Sequence, residues 1–310
     1  MRLIFYGSPE TAVVSLKALR NADHQVKLII TQPDRPSGRG RQSSASAVKR
    51  YALENSLALY QPTRIRKDPQ AQERIEAVSP DLAVVVAYGQ IIPDALIHIP
   101  RYKTINLHFS LLPKYRGASP VQWAILQGEE TTGVSLFVLN AKMDEGDLLC
   151  RREFAIQTGE TALELERRLA QFGSELLVET IARIDRIQPI PQDHSQATLA
   201  PLIKKEQGRI DWTHSSLSIE RRIRAFTPWP STFTFLSGKR LKILKARAVD
   251  EQVAAFSPGD ILNISEKGLT VGCGEKSILL IEILQPENKK AMSPHAYSLG
   301  GGIKPGNQFS

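Results

Sequence analysis

Residues 81–89 read DLAVVVAYG, with an apolar run from Leu82 to Ala87. Successive side chains of a strand point to opposite faces, so a run without a polar position leaves neither face for water. Such a strand belongs in the middle of a parallel sheet covered on both sides. Working outward, RLIFY (2–6) reads as a further buried strand, QVKLIIT (25–31) as the next strand, and KTINLHF (103–109) as a strand in which apolar and polar residues alternate. Between them lie two helical stretches. PETAVVSLKALR (9–20) has apolar residues at helical spacing, and SASAVKRYALENS (44–56) opens on serines suited to capping. Strands separated by helices predict an α/β fold, a doubly wound and mostly parallel sheet. GVSLFVLN (133–140) and LLCRREFAI (148–156) predict a strand pair at one edge, and 160–183 a long amphipathic closing helix.

The 310 residues are more than one core usually organises. At 186–208 the chain reads RIQPIPQDHSQATLAPLIKKEQG, rich in Pro, Gln and Ser and without periodicity, as expected of an extended linker. Beyond it come one helix, SSLSIERRIRAF (215–226), and the short strands TFTFL, RLKILKA, GDILNI, LTVGC and ILLIEIL between glycine turns. That pattern predicts a small barrel. The expected division is a catalytic domain over 1–188, a linker over 189–208 and a second domain over 209–310. Two cysteines, Cys150 and Cys273, cannot form a disulfide framework, which favours a reducing compartment. The N-terminal apolar run is too short for a signal peptide, and no segment approaches the ~20 apolar residues of a membrane span. A cytoplasmic protein with no membrane partner is expected. The net charge of +8 suits a polyanionic partner and suits plain solubility equally.

Open α/β sheets bind ligands beyond the carboxyl ends of their strands. The first turn, YGSPETA, lacks the G-x-G-x-x-G spacing, and no G-x-x-x-x-G-K-[ST] loop occurs, which disfavours dinucleotide and nucleoside triphosphate sites. H-E-x-x-H, C-x-x-C and G-x-S-x-G are absent, and the six histidines are scattered, so no metal and no covalent nucleophile is expected. Asn106 and His108 remain, two apart on one strand and therefore on one face. Asp144 lies in the glycine-containing loop NAKMDEGDLL (140–149). A carboxamide and an imidazole donating to one oxygen make an oxyanion site, with an aspartate to orient the imidazole. Taken singly, His108 reads equally as a strand-end histidine satisfied by backbone, Asn106 as a turn residue and Asp144 as a loop residue.

Further residues carry a resemblance. Asn106-x-His108-x-Ser110-Leu111-Leu112-Pro113, then Arg116-Gly117 and Pro120, then Asp144-x-Gly146-Asp147 together resemble the 10-formyltetrahydrofolate-dependent formyltransferases. Thr31 to Pro36 followed by Gly38-Arg39-Gly40-Arg41, the strand Val84 to Gly89 with Pro93, Arg224-Ala225-Phe226 with Pro228-Trp229-Pro230, and Lys289 to Ser293 are similar to the branch of that family acting on tRNA. Phe109, Lys142, Met143 and Glu145 depart from the usual pattern without removing a catalytic group.

The resemblance implies a Rossmann-like first domain, an OB-like β-barrel second domain, and formyl transfer from 10-formyltetrahydrofolate to the α-amino group of methionyl initiator tRNA, for translation initiation. It implies Asn106, His108 and Asp144 as the catalytic trio, with no metal. Ser110, Leu111, Leu112 and Pro113, together with Val86, Tyr88 and Gly89, are the implied folate contacts. The tRNA contacts expected are Arg35, Arg39 and Arg41, in a stretch (31–50) with five Lys/Arg against one Asp, and Lys242 and Lys245 on the barrel. The partners are the tRNA and the folate, and the protein is expected to act as a monomer. An amino-sugar nucleotide as formyl acceptor, or a non-catalytic RNA-binding relative, are the alternatives.

Overall fold

The structure, a computed structural model, describes residues 1–37, 42–251, 253 and 255–310. The chain divides into two compact units. One comprises Met1–Pro120, Thr131–Ala155 and Glu166–Ala200, the other Val121–Glu130, Ile156–Leu165 and Pro201–Ser310.

In the first unit the strands are β1 (Arg2–Gly7), β2 (Gln25–Ile30), β3 (Arg35–Ser37), β4 (Gln42–Ser44), β5 (Leu59–Tyr60), β6 (Leu82–Val86), β7 (Thr104–His108), β8 (Thr131–Val138) and β9 (Leu148–Ala155). Seven form one sheet in the order β5-β2-β1-β6-β7-β8-β9, and β3 pairs with β4 apart from it. β5 to β7 of that order run parallel, while β8 and β9 are the antiparallel edge pair. The all-buried β6 is the middle strand, as its unbroken apolar run requires. The strand order reverses between β1 and β6, which opens a crevice beyond Gly7 and Val86.

Helices cover both faces, as in a Rossmann-like fold. They are α1 (Glu10–Asn21), α2 (Ala47–Glu54), α3 (Gln70–Val78), α4 (Asp94–Ile97) and most of α6 (Ala162–Ile181), whereas α5 (Pro120–Gln127) belongs, past its first residue, to the second unit. Ser46 caps α2 by accepting from the Lys49 amide at 3.0 Å. Ala71 and Ile75 of α3 and Leu96 and Ile97 of α4 pack with Ile4, Tyr6, Ala83 and Val85 on one face. On the other face Gly173 of α6 lies so close to Leu107 that a Cβ there would sit 3.0 Å from the leucine methyl. Fully burying one such aliphatic side chain is worth roughly 1.5–3 kcal/mol. The strand ends that carry the site are therefore fixed by a packed sheet.

The second unit holds α7 (Ser216–Ala225), β10 (Thr232–Leu236), β11 (Lys239–Val249), β12 (Ile261–Ser265), β13 (Gly268–Gly272), β14 (Ile278–Pro286) and α8 (Pro294–Leu299). Its sheet is antiparallel in the order β10-β11-β14-β13-β12, around a core that includes Trp212, Ile243, Val271 and Ile281. The sheet closes through a segment the sequence pattern does not mark. Phe235 and Ser310 exchange backbone hydrogen bonds at 3.0 Å, while Phe309 donates to Gly259 at 2.9 Å and Gly306 to Ile261 at 3.0 Å. The last residues thus bridge both edge strands.

The stretch expected to be an extended linker is bonded to the first unit over much of its length. Leu148 and Ile190 exchange backbone hydrogen bonds at 2.8 Å; further along, Arg116 donates to Thr198 at 2.9 Å and Ala200 to Arg116 at 2.7 Å. Composition predicted a solvated spacer; the partners that fix it lie some 40 to 80 residues away in sequence, where no local pattern reports them.

Candidate active site

β7 delivers Asn106 and His108 to the face occupied by Val85, since Asn106 lies opposite Val85 in the ladder. His108 is 7% exposed. Its Nε2 is 2.9 Å from the Tyr115 carbonyl oxygen. A carbonyl only accepts, so Nε2 carries the hydrogen, and Nδ1 is the nitrogen left for other partners. Nδ1 is 3.8 Å from Oδ2 of Asp144. The imidazole edge also meets the Phe137 ring, with centroids 6.5 Å apart. The half-buried Asn106 carboxamide has no hydrogen-bond partner among the described residues. A carboxamide beside an imidazole with a free nitrogen can grip an incoming oxygen.

Asp144 stands in the loop between β8 and β9 with φ of 52°, left-handed backbone that costs a non-glycine residue about 1–3 kcal/mol unless the surroundings hold it. They do. Its Oδ2 accepts from the Gly117 amide at 2.8 Å, and its carbonyl accepts from Gln192 at 2.9 Å. Gly146 packs where a Cβ would collide with the Val138 carbonyl. Glu145, one of the departures from the family pattern, faces Lys142 at 3.5 Å, Arg116 at 3.7 Å and His194 at 4.0 Å rather than His108. Phe109, another departure, is buried.

The remaining expected residues fall into groups. Ser110 and Leu112 are buried within the turn: Ser110 donates to the Lys114 carbonyl at 2.7 Å, and Leu112 donates its amide to Ser135 at 3.0 Å. Leu111 and Pro113 flank them, and Arg151 donates to the Leu112 carbonyl at 3.1 Å. Val86 and Tyr88 are buried, and burial pushes the Tyr88 hydroxyl well above its ordinary pKa. Gly89 is exposed with φ of 79°, so the backbone of that loop, not its tyrosine, faces outward. A cavity of about 460 Å³ is lined by Pro113, Leu148 to Arg151, Ile190 to Asp193 and Gln196, and by none of the trio.

Arg35 is exposed and donates to Gln32 at 2.8 Å. Arg39 and Arg41 lie outside the described residues. On β11 the outward positions are Arg240 and Lys242, then Lys245 and Arg247. Their parity switches because the register slips between Ile243 and Ala246. Glu282 pairs with Lys245 at 2.8 Å and Arg247 at 3.2 Å, and Lys245 holds its carboxyl below the usual range. Both thiols are inert by environment: burial raises Cys150, which sits 3.1 Å from the Thr180 hydroxyl, and pushes Cys273 up to about 12. Among the described residues no group of His, Cys, Asp or Glu could hold a metal ion, and no helix is long and apolar enough to cross a membrane.

Sequence reasoning missed Tyr115, which fixes the His108 tautomer, and Gln192. It also missed the exposed Ile91 on the loop that carries Gly89, and it noted Met143 only as a departure from the family pattern; each is 65% exposed.

Comparison with known proteins identifies the relationship. Residues 1–181 match the family model described as formyl transferase, and residues 202–300 match the formyl transferase C-terminal domain. A methionyl-tRNA formyltransferase from Solibacter usitatus is 46% identical over 292 residues, covering 94% of this chain and 93% of the relative. One from Alkaliphilus oremlandii is 40% identical and covers 99% of each chain. Among solved structures, WlaRD, a sugar 3N-formyl transferase crystallised with dTDP and 5-N-formyl-THF, shares the fold at a TM-score of 0.66 and 20% identity, covering 94% of this chain and 99% of its own. With both formyl transferase models matched in order and curated relatives aligned end to end, the chain belongs to the formyl transferase family, alongside the methionyl-tRNA formyltransferases.

Proposed function

We propose that the chain transfers the formyl group of 10-formyltetrahydrofolate to the α-amino group of methionyl initiator tRNA, in translation initiation. The observation that carries this is the unpartnered Asn106 carboxamide on the same strand face as His108, whose Nδ1 lies 3.8 Å from Asp144. 10-Formyltetrahydrofolate supplies the formyl carbon: the bond from the amine to that carbon forms, the bond from that carbon to the folate N10 breaks, and the proton the amine loses ends on N10, releasing tetrahydrofolate. Asn106 donates to the formyl oxygen as the amine adds and negative charge gathers there. His108 donates from Nδ1 to the same oxygen. Because Nε2–H is engaged by the Tyr115 carbonyl, Nδ1 donates only when the ring is an imidazolium. Asp144 faces that nitrogen and offsets the charge. The folate lies along Val86 to Gly89 and the Ser110 to Pro113 turn, where backbone groups of Gly89 and Pro113 read it and Ser110 and Leu112 stiffen the turn.

The domain roles follow: catalysis on 1–188, a connecting strap over 189–208, and tRNA backbone contact on an OB-like barrel over 209–310. Lys242 and Lys245 make those contacts, helped by Arg35, Arg39 and Arg41 of the N-terminal unit. The protein acts as a monomer in the cytoplasm.

The test is a comparison of acceptors with one formyl donor. Methionyl initiator tRNA should be formylated and a UDP-amino-sugar should not. Turnover confined to the sugar nucleotide overturns the substrate assignment. Product formation undiminished in His108→Ala overturns the catalytic one.

A further inference from the structure

The strap between the expected domains carries a side chain with a place in the catalytic geometry. Gln192 is 5% exposed and turned toward the Asp144 loop. Its Oε1 accepts from Nη2 of Arg116 at 2.7 Å and from Nε at 3.2 Å. Its Nε2 donates to the Gly146 carbonyl at 2.7 Å and to the Asp144 carbonyl at 2.9 Å. A guanidinium has only donors and these carbonyls only accept, so chemistry fixes the amide in one orientation. Arg116 is itself 5% exposed and also donates to Nδ1 of His194 at 3.0 Å. The strap cannot withdraw the amide easily, because it is bonded to β9 at Ile190 and to the Arg116 backbone at Thr198 and Ala200.

The two carbonyls that Gln192 holds flank the left-handed turn at Asp144 and the crowded Gly146. That turn points Oδ2 at the Gly117 amide and at His108. Left-handed backbone is unfavourable for any L-residue, though aspartate tolerates it better than most, so what grips the turn decides how firmly it is held. We infer that Gln192, oriented by Arg116, is a positioning residue that holds the Asp144 carboxylate within reach of His108 during formyl transfer. The inference rests on the proposed function and adds a residue the reaction needs though it never touches substrate.

A double-mutant cycle tests it on the full-length protein with 10-formyltetrahydrofolate and methionyl initiator tRNA. Gln192→Leu keeps the side chain's size and removes all four hydrogen bonds. Gln192→Glu keeps the acceptor for Arg116 and removes both donations, so it tests the same step should the leucine variant fail to fold. Each should lower kcat by about 10–100-fold with both KM values within about threefold of wild type. In an Asp144→Ala background, followed by single turnover, either substitution should cost less than about twofold more, because a residue acting only through Asp144 has nothing left to position. A kcat equal to wild type in the folded variants, or a loss that multiplies fully in the Asp144→Ala background, overturns the inference. Absence of product with the wild-type protein is a different failure, that of the proposed function.

Discussion

The end of β7 and the outer face of β11 are both polar surfaces on strands, and they are built in opposite ways. At β7 the groups that set the geometry are buried or half-buried and held by protein partners: His108 by Tyr115, Asp144 by Gly117 and Gln192, Gln192 by Arg116. On β11 Lys245 and Arg247 stand in solvent and share the single carboxylate of Glu282. A buried constellation concentrates its effect in few residues and depends on position. An exposed charge row spreads its effect, responds to salt and tolerates substitution.

This contrast breaks first, and most severely, at Asn106. Replacing it with alanine removes one donor to the developing oxyanion, and kcat should fall ~10²–10³-fold with folate binding little changed, by steady-state formylation kinetics. Gly146→Ala comes next. The added methyl meets the Val138 carbonyl, so the loop must shift; a stability loss of about 1–3 kcal/mol in thermal melts should accompany lower turnover. If Gly146→Ala is as stable and active as wild type, the loop is less constrained than its packing indicates.

On the barrel the effects are smaller. Lys242→Ala should weaken tRNA binding uniformly and reduce the slope of log affinity against log salt by about one, leaving single-turnover formylation at saturating tRNA unchanged. Smallest is Glu282→Gln. The Glu282 carboxyl lies below its ordinary value of 4.5 in the folded protein, because Lys245 bonds to it. Its contribution to stability is therefore present above pH 4.5 and lost as the pH falls through the lower folded value. Melts at pH 7 should show a deficit under about 1 kcal/mol that disappears in acid, while tRNA affinity rises because Lys245 and Arg247 are released. Weaker tRNA binding by this variant would argue against that face of the barrel.

The same division decides what was legible in the sequence. The sheet was legible because β6 and β1 are apolar runs and β7 alternates apolar with polar residues, patterns that are local, and Asn106 and His108 share a face by parity alone. The β11 row was half legible: its charges change from even to odd numbers, a conflict that the slipped register near Leu244 resolves. Gln192 was hidden because a glutamine among prolines and serines reads as solvated chain, and its partners, Arg116 and the 144 and 146 carbonyls, are known only after folding. Closure of the second sheet was hidden for a similar reason: KPGNQFS has no strand pattern, and its hydrogen bonds go to Phe235, Gly259 and Ile261, distant in sequence.

The most direct measurement is the single-turnover rate of formyl transfer to methionyl initiator tRNA by His108→Ala at saturating concentrations of both substrates. A loss of at least about a hundredfold, with tRNA affinity and its salt dependence unchanged, is the expected result. A rate within twofold of wild type would contradict the assignment of the β7 end as the place where the formyl oxygen gains its charge.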